Sequence, residues 1–211
     1  MPLSGSDPAV AHLAMVDPVM RRLIEDIGPC TLRPNARRSP FESLARAIAH
    51  QQLHGKAAES ILTRFMRLFP GRRFPHPDDL LAVNTRSIRA AGFSRSKIVA
   101  LRDLAAKTLD GTVPTSRVIQ KLGDDEIIDR LIEVRGIGRW TVEMLLIFQL
   151  GRPDVLPVDD FGVRNGFRLA YGRRSMPTPK QVLRYGERWK PYRTVAAWYL
   201  WRAADRAKQV S

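Results

Sequence analysis

Cysteine is nearly absent from this 211-residue chain, which carries Cys30 alone. A single thiol excludes an intrachain disulfide framework, a four-cysteine zinc site and a cysteine-ligated iron–sulfur cluster. Histidine is also sparse, and His12, His50, His54 and His76 fall at no metal-motif spacing. No cofactor is therefore expected, and a metal-free site is the default. No apolar run is long enough to span a bilayer. The N-terminus lacks the basic, apolar, cleavable pattern of a signal segment. These absences point to a reduced, intracellular protein with no membrane role. Alternating strand patterns are scarce, and no fixed-period repeat is visible.

Acidic residues are outnumbered. Against 21 Asp and Glu stand 35 Lys and Arg, a formal net charge of +14. Arginine dominates, and its guanidinium pairs bidentately with phosphate where lysine offers a point charge. A globular chain this basic usually meets a polyanion, in binding that weakens steeply with salt. An unremarkable basic surface, or one facing anionic lipid, is the plainer alternative. With 44% hydrophobic residues, a chain of this length buries a substantial core in one domain or two small lobes.

Nearly every segment reads as helix. Ser39-Pro40-Phe41-Glu42 has the form of a capping box with proline at the first helical position. Behind it Phe41, Leu44, Ala45, Ile48, Ala49 and Leu53 keep helical spacing along one face. A second helix follows His54-Gly55, carries Ala58, Ile61, Leu62, Phe65 and Phe69, and stops at Pro70-Gly71. Further helices are expected over 78–83, 85–91, 96–109, 124–134, 139–150, 160–171, 179–189 and 192–207. The first fifteen or so residues look weakly ordered. The reading is an all-α protein of two helical lobes with a cleft between them.

Most informative is Leu131-Ile-Glu-Val-Arg-Gly-Ile-Gly-Arg-Trp-Thr-Val-Glu-Met144, followed by Leu156-Pro-Val-Asp-Asp-Phe161. Gly136 and Gly138 interrupt amphipathic helical patterns on both sides. A helix should stop at Val134, turn over the glycines and restart near Arg139. At the restart, backbone N–H groups without intrahelical partners suit a phosphate oxygen. Such a hairpin positions a protein on nucleic acid but reads no bases. Asp159 and Asp160 are each plausible caps for the helix beginning at Phe161. Two in succession invite separate roles, one capping and one facing the cleft, with Arg139, Arg164 or Arg168 holding either ionised. Trp140 opens the helix after the hairpin. Trp189, Trp198 and Trp201 lie near the C-terminus with Tyr192 and Tyr199. Such aromatics serve either as core or as faces on which bases stack.

Three motifs together resemble one family. They are the Leu-x-x-x-x-Gly-Ile-Gly-Arg-Trp-Thr hairpin, the Leu-Pro-x-Asp-Asp segment, and the tail from Trp189-Lys-Pro-Tyr-Arg to Trp198-Tyr-Leu-Trp-Arg. The chain is similar to the helix-hairpin-helix superfamily of DNA glycosylases, and within it to the 3-methyladenine DNA glycosylase II branch, which removes alkylated bases. The segment Arg46-Ala-Ile-Ala-His-Gln-Gln-Leu-His-Gly-Lys56 resembles that branch too. The likeness runs over roughly residues 35–207.

The resemblance implies a monofunctional DNA glycosylase that initiates base excision repair. Its partner would be duplex DNA containing alkylated bases, and the protein a monomer, cytoplasmic beside bacterial DNA or nuclear in a eukaryote. Asp160 takes the place of the catalytic aspartate. Gly136, Ile137, Gly138 and Arg139 fall at the phosphate-gripping hairpin. There, family members often hold a monovalent cation on backbone carbonyls, which here would be those of Ile132, Val134 and Ile137. Leu53 sits where the branch wedges the duplex, and His54 where it touches the minor groove. Trp140 and Trp201, with Tyr192, fall to the base pocket. Arg135 replaces the proline usual before the first hairpin glycine. Residues 1–34 would be a partly disordered segment, its remainder packing on the C-terminal lobe, without the β-rich domain of some members. Residues 35–156 would carry wedge and hairpin, and 157–211 the aspartate. Bifunctional members place a lysine nucleophile where this chain has Trp140, and without an amine no Schiff base forms. A non-catalytic binding module of the same superfold is the main rival; Asp160 discriminates against it, since a passive phosphate binder gains nothing from an acid beside DNA.

Overall fold

Short polar side chains followed by proline start several helices of this chain. Asp17, Ser39 and Thr178 each precede a proline, and their side-chain oxygens accept first-turn amides of Val19 and Met20, Glu42, and Gln181 respectively. These are the amides that helix geometry leaves without partners, and proline sacrifices nothing at that position. A computed structural model describes residues 8–210. Among the described residues there is no strand. The protein is all-α, as its sequence suggests.

Thirteen α-helices are described: α1 Pro8–Val16, α2 Pro18–Ile27, α3 Pro40–His50, α4 Gly55–Met66, α5 Pro77–Ala82, α6 Thr85–Ala90, α7 Arg95–Leu109, α8 Ser116–Ile119, α9 Asp124–Ile132, α10 Arg139–Leu145, α11 Phe161–Ala170, α12 Pro179–Gly186 and α13 Arg193–Val210. A π-helical turn, Leu146–Leu150, continues α10, and a 3-10 turn, Glu187–Trp189, follows α12. None of the described helices is long and apolar enough to cross a membrane.

The chain forms two compact units. A central unit runs from Ala36 to Leu145, and among the described residues a terminal unit combines 8–35 with 146–210. The sequence suggested a boundary at 156/157. Residues 146–156 instead pack with α13. Phe148 stacks on Trp201, and the Thr194 hydroxyl donates to the Arg152 carbonyl while accepting the Val155 amide.

In the central unit, α3 and α5 pack on α7. Leu44, Ile48, Phe65, Leu80, Ile88, Leu101 and Leu104 form the buried interior. Basic residues are spent inside this unit as well as on its surface. Arg64 caps α6 by donating to the Ala91 carbonyl, and Arg102 donates to the carbonyls of Leu81 and Val83. Each takes carbonyls that a helix end leaves over, where a cation also suits the helix dipole.

In the terminal unit, α1 and α2 pack on α13, which also packs on α11. The weak order expected for the first fifteen residues does not hold for residues 8–15. They belong to α1, which buries Ala9, Val10 and Leu13. Small apolar side chains on a short helix gave little periodic signal, and burial against distant helices holds them. Residues 1–7 lie outside the described part. The cap Asp17 is fully buried, yet its carboxylate accepts from Val19 N, Met20 N, Tyr171 Oη at 2.6 Å and Trp189 Nε1 at 2.9 Å. A buried charge is tolerable only when its hydrogen bonds are met in this way. Burial, and then Asp17 itself, push the Tyr171 hydroxyl well above the ordinary tyrosine range, so it remains a donor. Trp189 is therefore a core residue.

Candidate active site

Asp160 precedes α11, and its Oδ1 accepts the Val163 amide at 2.8 Å. The same oxygen accepts the indole N–H of Trp201 on α13, also at 2.8 Å. Cap and candidate reactive group are thus one residue. The sequence had offered two carboxylates with divided roles, but Asp159 is exposed beside the cap. Two donors from different helices orient the Asp160 carboxylate. The arginines considered as its partners have other engagements: Arg164 donates to the Pro177 carbonyl, Arg168 to Asn165, and Arg139 to Glu143.

Trp201 reaches Asp160 because residue 162 is glycine. A Cβ there would lie 2.8 Å from Trp201 Cδ1 and 3.0 Å from Asp160 Oδ1. Phe148, in the π-helical turn, stacks on Trp201 with ring centroids 5.5 Å apart and planes 25° apart. Sequence reading missed Phe148, since an aromatic inside an apolar run resembles core. It is 43% exposed, and Phe161, immediately after Asp160, is 67% exposed. Exposed aromatics beside an anchored carboxylate form a site that can receive a flat, electron-poor ring. Tyr192, assigned with Trp201 on sequence, lies elsewhere. It meets His12 edge-on and lines a groove of about 550 Å³ that includes neither Asp160 nor Trp201.

The central unit holds the remaining candidates. Helix α3 stops at His50, so Leu53 is not its last buried position. Leu53 lies in a tight turn, 40% exposed, and His54 precedes α4 without a side-chain capping bond. The turn bends at Gln52, whose φ of 57° is uncommon for a residue with a Cβ. Two carbonyls beside this bend, those of Ala49 and Gln51, accept the Lys97 ammonium at 2.8 and 2.7 Å. Burial lowers the Lys97 pKa below that of an ordinary lysine.

The hairpin joins α9 to α10. Gly136 has φ +80°, a left-handed conformation that an L side chain resists, and Ala100 lies 3.3 Å from where its Cβ would sit. Ile137 is only 4% exposed, so its side chain belongs to the core and its backbone is what the hairpin presents. The Gly138 carbonyl accepts the amides of Thr141 and Val142, starting α10. Arg139 is exposed and pairs with buried Glu143 at 3.1 Å, and Trp140 is 47% exposed.

Arg135 has a physical consequence here. Its backbone N–H donates to Asp103 Oδ2 at 2.7 Å, a bond no proline could make. Burial opposes ionisation of Asp103, but the Arg135 amide and the Lys107 ammonium outweigh it and hold the carboxyl below the usual range. The Gln51 amide donates to the Gly136 carbonyl at 2.8 Å, tying the Leu53 turn to the hairpin. No group of three or more His, Cys, Asp or Glu side chains suited to a metal occurs among the described residues.

The chain matches the model of the HhH-GPD superfamily base excision DNA repair protein over residues 45–191. It is 43% identical to DNA-3-methyladenine glycosylase 1 of Schizosaccharomyces pombe, over 94% of this chain and 88% of that one. The solved S. pombe 3-methyladenine DNA glycosylase in complex with abasic DNA superposes with a TM-score of 0.80, at 43% identity, over 92% of this chain and 95% of the other. A crystal structure of DNA-3-methyladenine glycosidase from Bacillus halodurans superposes with a TM-score of 0.90, at 33% identity, over 99% and 94%.

Proposed function

From the premise that this chain belongs to the HhH-GPD superfamily of base excision DNA repair proteins, we propose that it is a monofunctional DNA glycosylase. It hydrolyses the N-glycosidic bond of alkylated bases in duplex DNA. The observation that carries this reading is the anchored carboxylate of Asp160 beside exposed aromatic faces, in a chain of net charge +14.

The chemistry follows from what the substrate demands. A stacked base is out of reach, so its nucleotide must be flipped out at a cost of a few kcal/mol. Leu53, exposed in a tight turn, fills the vacated space as apolar wedges do at unstacked steps. His54 follows it toward the minor groove. The backbone at Gly136, Ile137 and Gly138, with Arg139, grips phosphate. Breaking the bond builds positive charge on the sugar, and the Asp160 carboxylate stabilises that charge and orients water. Its hydrogen bonds to Val163 N and Trp201 Nε1 fix the plane of the carboxylate before substrate arrives. An alkylated purine such as 3-methyladenine already carries a positive charge and departs neutral, so a second acid is dispensable. The faces of Trp201 and Phe148 favour such a cationic ring.

Superfamily members often hold a monovalent cation at the hairpin. Three backbone carbonyls, of Ile132, Val134 and Ile137, are hard neutral donors of a suitable kind. That of Val134 also accepts the Ile137 amide at 3.0 Å and keeps a second lone pair. A cation there would add positive charge opposite a DNA phosphate.

The test is release of free base from methylated duplex DNA. 3-Methyladenine and 7-methylguanine should be released faster than neutral hypoxanthine or ethenoadenine, leaving an intact abasic strand. Borohydride added during turnover should trap no adduct, because position 140 offers indole and not amine. A covalent protein–DNA adduct would overturn the monofunctional reading. DNA binding with no base release from any lesion would leave a binding module.

A further inference from the structure

The turn that presents Leu53 is tied to distant parts of the central unit by side-chain hydrogen bonds. It begins at the C-terminus of α3, where helix geometry leaves carbonyls without amide partners. It then passes through Gln52 in the left-handed region, which is unfavourable for a residue with a Cβ and persists where the surroundings impose it. Within the turn, one backbone bond is seen, from the Leu53 amide to the His50 carbonyl at 3.2 Å. The stronger restraints come from outside. The Lys97 ammonium bridges the carbonyls of Ala49 and Gln51, one on each side of the helix end, 48 and 46 residues away in sequence. The Gln51 side chain reaches on to the Gly136 carbonyl of the hairpin.

We propose that Lys97 is a positioning residue for base flipping: its ammonium clamps the end of α3 so that Leu53 is presented in fixed register with the hairpin. This rests on the reading of Leu53 as the wedge. The Lys97 ammonium points inward, to the two carbonyls. Two charge-assisted bonds to carbonyls at a helix C-terminus are favourable both as hydrogen bonds and toward the helix dipole. The clamp lies on α7, the helix whose Ala100 and Asp103 also face the hairpin at Gly136 and Arg135. One rigid helix thus supports both the turn and the hairpin, and a wedge must enter the duplex where the phosphates are held. A clamp of this kind matters most when the duplex resists. Pushing a wedge into a stacked, paired step loads the turn, whereas an unpaired lesion is already partly unstacked.

The experiment compares single-turnover release of 7-methylguanine paired with cytosine and of the same base in a one-nucleotide bulge. Lys97→Met keeps the chain length and removes the charge and donors. Release from the paired duplex should fall by about tenfold or more, against about threefold or less from the bulge, as expected if wedge support is what is lost. Leu53→Ala should show the same skew, and adding it to Lys97→Met should change the ratio little, since both act on one step. Lys97→Arg, which retains charge and donors, should restore most of the paired rate. Equal losses on both substrates, or no rescue by arginine, would make Lys97 an ordinary fold contact and overturn the proposal. Should Lys97→Met not fold, Lys97→Gln, with one amide donor retained, gives the same comparison with a smaller skew. Wild-type protein that releases no base from either substrate would instead refute the glycosylase reading, and Leu53→Ala without skew would refute the wedge.

Discussion

In the central unit the phosphate-gripping part of the DNA-contacting set is backbone, and charged or polar side chains hold the hairpin and the Leu53 turn. Lys97 takes two carbonyls beside the Leu53 turn, Gln51 takes the Gly136 carbonyl, and Asp103 takes the Arg135 amide. In the terminal unit the candidate reactive group is one side chain, Asp160, and a helix amide and an indole orient it. The contrast has a physical basis. A phosphate grip needs amides in a fixed array and gains from nearby cations. A carboxylate that meets a developing cation acts through its charge, which N–H donors orient without removing. Binding and chemistry should accordingly be separable by mutation.

The largest separation is expected from Asp160→Asn. Asparagine retains an oxygen to accept both the Val163 amide and the Trp201 indole, and it caps helices as well as aspartate does. The charge is lost, and the second oxygen becomes an amide NH2. The barrier to base release should rise by roughly 3–4 kcal/mol, while DNA binding persists or tightens because an anion has been removed. Single-turnover rates and gel-shift titrations on the same lesion check this. Near wild-type turnover would remove Asp160 from the chemistry, and a dead Asp159→Asn beside an active Asp160→Asn would move the role by one residue.

Gly162→Ala and Gly136→Ala sharpen the comparison from its two sides. At 162 the new methyl meets Trp201 and Asp160 Oδ1, so the indole must withdraw and the carboxylate loses a donor. One hydrogen bond of about 1 kcal/mol corresponds to a several-fold slower release, with undamaged-DNA affinity unchanged. Alanine also favours the helix over glycine by about 1 kcal/mol, so thermal stability need not fall with activity. At 136 a side chain at φ +80° costs about 1–2 kcal/mol. Here affinity should drop and become less salt-dependent, while release at saturating protein is retained. Substitutions that impaired both properties equally would break the division of labour.

The smallest effect concerns acid. The folded Asp103 carboxyl lies below its ordinary value, so its stabilising contribution is complete above about pH 4, the unfolded value. It is lost as pH falls through the lowered folded value. Hydrogen exchange at the Arg135 amide should therefore stay protected down to about pH 4 and rise below it, after the intrinsic pH dependence is removed. Asp103→Asn removes the titrating carboxyl, so the rise should disappear, with protection kept at neutral pH if the bond to the Arg135 amide, and not the charge, holds the hairpin.

Much of this was legible in the chain because it depends on neighbours in sequence. Ser39-Pro40 and Thr178-Pro179 mark helix starts by caps acting within three residues. Periodicity placed most helices, and Gly136 marked the one backbone position in the hairpin with positive φ. The excess of Arg and Lys stated the charge of the partner. With the motif at Leu156–Phe161, the family resemblance pointed to Asp160. What distance in sequence concealed, only the tertiary structure decided. The order of α1 comes from burial against α13, and Phe148 joins the site by stacking on a tryptophan 53 positions later. Lys97 turned inward to carbonyls 46 and 48 positions away, and Asp160 gained its indole partner across 41. Capping and periodicity are local interactions that a sequence states directly. Which distant donor finds which acceptor depends on how helices pack, and packing is settled by the whole chain at once.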